Sequence, residues 1–201
     1  MRSGLTNIQW CPGCGDFLII MALKNAFKEL EIASKDRVVV SGVWCSGKAS
    51  QYVDGYAAET LHGRAVPFAT GVKLANPDLK VVIMWGDGDG YGIGMGHFIH
   101  ACRRNLDMVY LVFDNENYAL TTGQASPTTP IWAKTKTTPE GNMTSPFMPL
   151  QLATDAGCWF AKMWYSKDFK GLKELIKEAI EYPGFALINI IQDCPSFKRW
   201  D

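Results

Sequence analysis

Short runs of aliphatic and β-branched residues alternate along this chain with stretches whose apolar side chains recur at helical spacing. Runs such as Arg37–Val43, Leu79–Trp85, Asp107–Phe113 and Phe185–Gln192 are apolar on both faces, which suits strands covered from both sides. Helical stripes fall at 16–30, 64–75, 93–104, 150–156 and 168–182, with Asp16 placed as an N-cap for the first. A further strand is expected at 158–164. This order predicts a doubly wound α/β fold with a mainly parallel sheet. Ligands in such folds sit beyond the carboxyl ends of the strands. The unusual residues of this chain concentrate there, at 42–48, 86–96, 114–124 and 193–195. With 201 residues and no linker or repeat, the chain reads as a single domain, 1–201. Its long Pro/Thr-rich loop at 121–149 is too extended to be idle.

Charge and hydropathy narrow the possible partners. Twenty basic and 20 acidic residues give zero formal net charge, and the last 36 residues are balanced as well. A nucleic-acid partner is not expected, because phosphate binding needs a basic face. The longest apolar runs are strand-sized, well short of the roughly 20 residues of a spanning helix, and the N-terminus lacks a secretion pattern. A cytoplasmic location follows as the expectation, and its reducing conditions disfavour disulfides among the six cysteines.

The strand Leu79–Trp85 runs into Gly86-Asp87-Gly88-Asp89-Gly90, and six of the 19 glycines lie between 86 and 96. Glycines at a strand-to-helix turn let backbone N–H groups approach a phosphate. No register in 86–99 gives the G-x-G-x-x-G of a dinucleotide site, and the lysine of a P-loop is missing. An acidic Asp87 beside a phosphate cradle calls for a cation between them, and Mg²⁺ bridging a carboxylate to a diphosphate fits. With 27 residues between Asp87 and Asn115, one strand–helix–strand unit sets the two strand ends side by side. This Gly-Asp-Gly…Asn arrangement resembles the thiamine diphosphate motif of thiamine-dependent enzymes.

Cysteines supply the second signal. Cys11-Pro12-Gly13-Cys14 is a chelating turn that also suits half of a zinc site or a redox dithiol. Cys45 ends the first strand and Cys194 the last, on the expected ligand side. Four thiolates there could hold zinc or a 4Fe–4S cluster, and spacing alone does not choose. Cys102 and Cys158 read as core residues, and His97 and His100 as structural.

The motifs WCPGCGDF (10–17), SGVWCSGK (41–48), LHGRAVPFATGVKLANPDLKVV (61–82), GDGDGYGIGMGHF (86–98), DNENYALTTGQASPTTP (114–130) and CPSF (194–197) together resemble the β subunit of 2-oxoacid:ferredoxin oxidoreductases. The resemblance implies that Cys11, Cys14, Cys45 and Cys194 hold a 4Fe–4S cluster, and that Asp87, Asn115 and the carbonyl of Asn117 bind Mg²⁺. It implies thiamine diphosphate contacts from Val43, Trp44, Cys45, Ser46, His62, Gly86, Gly88, Asp89, Ala119, Leu120 and Thr121. Lys48, His62 and Arg64 become the candidate catalytic residues, with Lys48 steering the substrate carboxylate. The implied reaction converts a 2-oxoacid and coenzyme A to acyl-CoA and CO₂, with electrons leaving through the cluster to ferredoxin. Motifs at Trp10–Gly15 and Ser126–Pro130 lean towards 2-oxoglutarate-type enzymes. Position 122 is Thr where some relatives carry Lys or Gly.

Thiamine diphosphate is normally held between two domains, and this chain has the length of the diphosphate-binding one only. An α subunit carrying the pyrimidine-binding domain is therefore the expected partner, in an (αβ)₂ or larger assembly. Relatives run past the Cys-Pro motif, so a C-terminal extension is expected to be missing or removed. Two other readings use the same residues: the small subunit of a non-redox thiamine-dependent decarboxylase, which has no use for four thiolates, and a zinc-stabilised interaction subunit.

Overall fold

The computed structural model describes residues 9–198; the first half of the N-terminal stretch read for a secretion pattern lies outside them. The chain runs α1 (Asp16–Glu29), β1 (Arg37–Ser41), α2 (Trp44–Gly47), β2 (Tyr56–Glu59), α3 (Ala65–Ala75), β3 (Lys80–Gly86), α4 (Met95–Arg104), β4 (Met108–Asp114). A small hairpin, β5 (Asn117–Tyr118) with β6 (Gln124–Ala125), opens the long loop, and α5 (Pro149–Asp155), β7 (Phe160–Tyr165), α6 (Phe169–Glu181) and β8 (Phe185–Ile191) complete the fold. Six strands form one sheet in the order β2-β1-β3-β4-β8-β7. Every neighbouring pair in it is parallel.

Two cores form because successive strand residues face opposite sides. Val39, Val82, Met84, Leu111 and Ile188 pack against Ile19, Leu23 and Phe27 of α1 and Leu172 and Ile176 of α6. Val40, Ile83, Trp85, Tyr110 and Leu187 face the other way, onto Val66 of α3, Phe98 and Cys102 of α4 and Ala153 of α5. Cys102 and Cys158 are both fully buried, in accord with their reading as core residues. The Asp168 carboxylate caps α6 by accepting from the Gly171 N–H at 3.0 Å.

Three local expectations change. Strand β2 escapes the sequence pattern because it is a four-residue edge strand that is largely exposed, so no apolar run announces it. The helix expected from 93 starts earlier as a π-helical turn over Gly88–Ile93, broken at Gly92 before α4 begins. Asp16 does not cap α1: Gly15 occupies that position, and the Asp16 carboxylate is buried with no hydrogen-bond partner on either oxygen. The loop 121–149 is likewise more than an exposed flap, since Ser126, Thr128, Thr129 and Asn142 are buried.

The C-terminal end of β1 meets the turn after β3 at Gly42. A Cβ there would lie 1.7 Å from Asp89 Oδ2 and 2.0 Å from Trp85 Nε1. Both are interior groups with little room to move, so Gly42→Ala is expected to lower the unfolding free energy by about 1–3 kcal/mol or more, read from denaturant midpoints.

Candidate functional site

The parallel register Trp85↔Val112 and Gly86↔Phe113 sets the ends of β3 and β4 side by side. A cleft opens above them. Its walls are Trp44, Cys45 and Ser46 of α2, Gly86–Asp89 of the turn, Phe113 and Asn115 at the end of β4, Asn117–Thr121, and Gln192 beyond β8. The structure thus brings together nine of the expected cofactor contacts and the three expected Mg²⁺ ligands. Gly88 sits where a Cβ would be 2.1 Å from the Tyr118 ring, while the Tyr118 hydroxyl donates to the Gly88 carbonyl at 3.1 Å. Trp44 enters α2 with φ +71°, a conformation rare for a bulky side chain and a form of strain that clusters at ligand sites. The π-helical turn beginning at Gly88 is a second such irregularity.

Asp89 binds the walls to each other. Its buried carboxylate accepts from the Val43 N–H at 2.9 Å and the Gly63 N–H at 2.5 Å, and contacts His62 Nδ1 at 2.6 Å. Val43 therefore reaches the site through Asp89 and does not line the cleft. Burial raises the Asp89 pKa, and these donors oppose the rise. Among the three candidate catalytic residues, His62 stands edge-on to Trp44 with ring centroids 5.8 Å apart. Arg64 points along α4, its guanidinium 3.0 Å from His97 Nε2. Lys48 lies on the cysteine side and donates to the Gln9 carbonyl at 3.3 Å. None of the three lines the cleft.

The oxygen donors fit a hard divalent cation. Asp87 is buried, Asn115 Oδ1 accepts from the Asn117 N–H at 3.1 Å, and the Asn117 side-chain oxygen is buried without a partner. Burial and the nearby Asp114 carboxylate push Asp87 up, and burial raises Asp114 as well. Thr128 Oγ1 stands between the two acids, 2.9 Å from Asp87 Oδ2 and 2.8 Å from Asp114 Oδ1. A hydroxyl has one proton, so it serves both carboxyl groups only while one of them keeps its own.

The four candidate cluster ligands gather at the same end of the sheet. Cys11 is exposed, Cys14 and Cys45 are half-buried and Cys194 is buried. Among the described residues no three His, Cys, Asp or Glu side chains converge within metal-binding reach. The thiols are nevertheless within electrostatic range of one another. Cys14 is raised by burial, then by Asp16, Cys45 and Cys194; Cys45 is pushed up to about 11 by burial, with Cys194 and Cys11 contributing. Backbone N–H groups of Ser196, Phe197 and Lys198 favour the thiolate of Cys194 against the burial that raises it. Such N–H donors on sulfur suit a cluster-bound cysteine.

Sequence reasoning missed Phe113, Tyr118 and Gln192 in the cleft, and Thr128 beneath it. Tyr118 follows the Asn motif directly and was within reach of a reading by position. Thr128 lies in the Ser126–Pro130 motif, but nothing in that motif points it at Asp87, and Gln192 arrives from a distant segment with no local signal.

Fold and cleft together define a thiamine-diphosphate-binding domain, and residues 37–190 match the family model described as "Thiamine pyrophosphate enzyme, C-terminal TPP binding domain". The chain is 49% identical over 192 residues to the "2-oxoacid:ferredoxin oxidoreductase 2, subunit beta" of Aeropyrum pernix, covering 96% of this chain and 62% of that one. It is 42% identical to the "2-oxoglutarate synthase subunit KorB" of Archaeoglobus fulgidus, covering 99% and 74%. A solved structure of a 2-oxoglutarate:ferredoxin oxidoreductase from Magnetococcus marinus, with 2-oxoglutarate, coenzyme A and succinyl-CoA bound, superposes with TM-score 0.95 at 42% identity, covering 98% of this chain and 67% of that chain. The chain belongs to the family of 2-oxoacid:ferredoxin oxidoreductase β subunits. It spans about three fifths of the length of several of the curated relatives that it matches. Among the described residues no helix is long and apolar enough to cross a membrane.

The buried acids set a pH dependence. Burial raises Asp16 to about 7, opposed by the Cys14 thiol and the Lys48 ammonium, and Asp87 and Asp114 shift in the same direction. Above about pH 4 the unfolded chain has released these protons while the folded chain still holds them. Metal-free protein is therefore expected to lose stability as pH rises from about 4 towards 7, at up to about 1.4 kcal/mol per pH unit for each group that stays protonated when folded. Denaturant melts at pH 5, 6 and 7 check this; a flat profile would remove the buried-acid account.

Proposed function

We propose that this chain is the thiamine-diphosphate-binding subunit of a coenzyme A-dependent 2-oxoacid:ferredoxin oxidoreductase, with a 4Fe–4S cluster held by Cys11, Cys14, Cys45 and Cys194. The observation that carries this reading is the double position of Cys45. It lines the cofactor cleft and lies in electrostatic range of the other three thiols or their neighbours, so one residue joins the cleft to the cysteine group. A thiamine decarboxylase without redox chemistry has no need of that junction.

Asp87, Asn115 and Asn117 would hold Mg²⁺, and the Gly86–Asp89 backbone would receive the diphosphate. Bound thiamine diphosphate supplies a carbon nucleophile and an electron sink for decarboxylation. The chain's own residues do the remaining work. Asp89 locks Val43 and Gly63 in place around the cleft. His62, fixed on Asp89, presents its ring beside Trp44. Lys48 lies three residues past Cys45 and within electrostatic reach of Cys45 and Asp16, and it supplies the positive charge that draws in the substrate carboxylate. Ferredoxin accepts the electrons. The 2-oxoacid class extends to 2-oxoglutarate, the 2-oxoacid that appears in the names of two of the similar proteins.

An α subunit completes the site in an (αβ)₂ or larger assembly. Trp44, Leu61, Ile93 and Leu120 are exposed apolar side chains on or near segments that line the cleft, and Ile131, Trp132, Met143, Phe147 and Met148 are exposed on the long loop. Apolar groups in such number on an open face favour a protein partner.

Metal analysis of the anaerobically purified complex tests the cluster directly. About four irons and matching sulfide per chain, with visible absorbance bleached by dithionite, are expected. Zinc, or free thiols without metal in fresh protein, would leave a thiamine decarboxylase or an interaction subunit. For Lys48→Ala, the 2-oxoacid KM is expected to rise at least about tenfold, the loss of roughly one charge-assisted contact, with thiamine diphosphate affinity little changed. Equal effects on both would remove Lys48 from substrate steering.

A further inference from the structure

The long loop reaches the Asp87 carboxylate from beneath the cofactor cleft with two hydroxyls, those of Ser126 and Thr128, and of these Thr128 also bonds Asp114. The Thr128 side chain is buried, 41 residues from Asp87 and 14 from Asp114, yet its hydroxyl touches both acids. The local structure holds it there. Thr129 N–H donates to the Ser126 carbonyl at 3.1 Å, Ser126 N–H donates to Thr129 Oγ1 at 2.7 Å, and Thr129 Oγ1 donates to the Glu116 carbonyl at 2.6 Å. Asn142 Nδ2 ties the Thr129 carbonyl at 2.8 Å, and Phe147 N–H ties the Pro127 carbonyl at 2.8 Å. A segment anchored at this many points has little freedom left, so its hydroxyl is placed in advance.

On the far side, a buried rail fixes Asp114. The Tyr91 hydroxyl donates to Asn189 Oδ1 at 2.7 Å, and Asn189 Nδ2 donates to Asp114 Oδ2 at 2.9 Å. Tyr91 and Asn189 are both fully buried. Asp114 Oδ1 then meets Thr128, which meets Asp87 Oδ2. The row Tyr91–Asn189–Asp114–Thr128–Asp87 runs from one interior layer to the cleft without an exposed member. Anchoring one oxygen of Asp87 sets the plane of its carboxylate, and so where the other oxygen can stand. Partners of this kind orient metal ligands in known sites and contribute 10–100-fold to affinity.

From this geometry we infer that Thr128 is the positioning residue for Asp87, so that the 121–149 loop helps to build the divalent-cation site from below. The inference rests on the reading of Asp87 as a Mg²⁺ ligand. Thr128 touches neither cofactor nor substrate in this role. It acts through Asp87, and the loop must be folded for the metal site to be formed.

The test uses the intact complex with its partner subunit and titrates Mg²⁺ at fixed thiamine diphosphate, following cofactor binding by calorimetry. Thr128→Val keeps the shape and removes the hydroxyl, Thr128→Ser keeps the hydroxyl, and Thr128→Ala serves if Thr128→Val does not fold. The Mg²⁺ midpoint is expected to rise about 10–100-fold in Thr128→Val or Thr128→Ala and to stay within about threefold of wild type in Thr128→Ser. Excess Mg²⁺ should restore cofactor binding to the hydroxyl-free variant, which a merely misfolded site would not allow. An unchanged midpoint without the hydroxyl overturns the inference. So does an equal loss in Thr128→Ser, which would assign the effect to the methyl group. Wild-type protein that binds thiamine diphosphate with no Mg²⁺ dependence would instead overturn the reading of Asp87 as a metal ligand.

Discussion

Parallel pairing of β3 with β4 is the constraint on which the site depends. Because Gly86 is registered on Phe113, Asp87 leaves β3 beside Asp114, the last residue of β4, and Asn115 follows at once. The crossover through the Gly-rich turn and α4 lies between these strands, and such a connection requires a dozen or more residues, which the spacing of the motif supplies. Removing the register by one residue would send Asp87 to the other face of the sheet. The tight turn survives only because Gly42, Gly88 and Gly94 leave room for Asp89, Tyr118 and Trp85.

That constraint has an energetic consequence. Asp16, Asp87, Asp89 and Asp114 are all buried at one end of a single sheet, where an ionised carboxylate without a partner is costly. The fold answers in different ways. Asp89 receives two N–H donors and a histidine, which makes it a structural hub. Asp87 and Asp114 share the Thr128 hydroxyl, Asp114 also accepts from Asn189 Nδ2 and the Glu116 N–H, and both stay raised by burial. Asp16 is buried with only the Cys14 thiol and the more distant Lys48 ammonium to favour its charge, and so its proton stays on to about pH 7. Asp87, with the Asp114 carboxylate beside it and neutral donors only, stands where oxygen ligands for a cation converge, and a divalent ion would supply the missing positive charge.

What could be read in the sequence follows from how far apart the cooperating residues are. The Gly-Asp-Gly turn and Asn115 belong to one strand–helix–strand unit, so spacing alone brings them together, and the structure places both in the cleft. The apolar runs of β3, β4 and β8 were legible because each is buried on both faces. Strand β2 was not, since an exposed edge leaves no hydrophobic signature. Asp16 misled for a related reason: its place before an apolar stripe matches an N-cap, while its actual burial is set by the packing around it, Ser166 and Gln192 closing on neighbouring Gly15 from the other end of the chain. Gln192 joins the site through a tertiary contact that no local pattern marks, and the Ser126–Pro130 motif marks Thr128 without showing that it meets Asp87 and Asp114.

Cys45 shows why cofactor cleft and cysteine group belong to one argument. The strained entry to α2, with Trp44 at positive φ, turns the chain so that consecutive residues serve two purposes. Trp44 and Ser46 face the cleft, and Cys45 joins them there while staying in range of the thiols carried by the Cys11–Cys14 turn and by Cys194. The indole N–H of Trp10 donates to the Cys45 carbonyl at 2.8 Å, and the Gly15 N–H donates to the Asp193 carbonyl at 3.0 Å. These two bonds tie the first, second and last cysteine-bearing segments into one rigid unit. A redox centre gains from such rigidity, because electrons pass between groups whose separation does not fluctuate. A structural zinc would gain equally from the ties but nothing from sharing a wall with the cleft, and the shared wall is what favours electron transfer as the purpose of the four thiols.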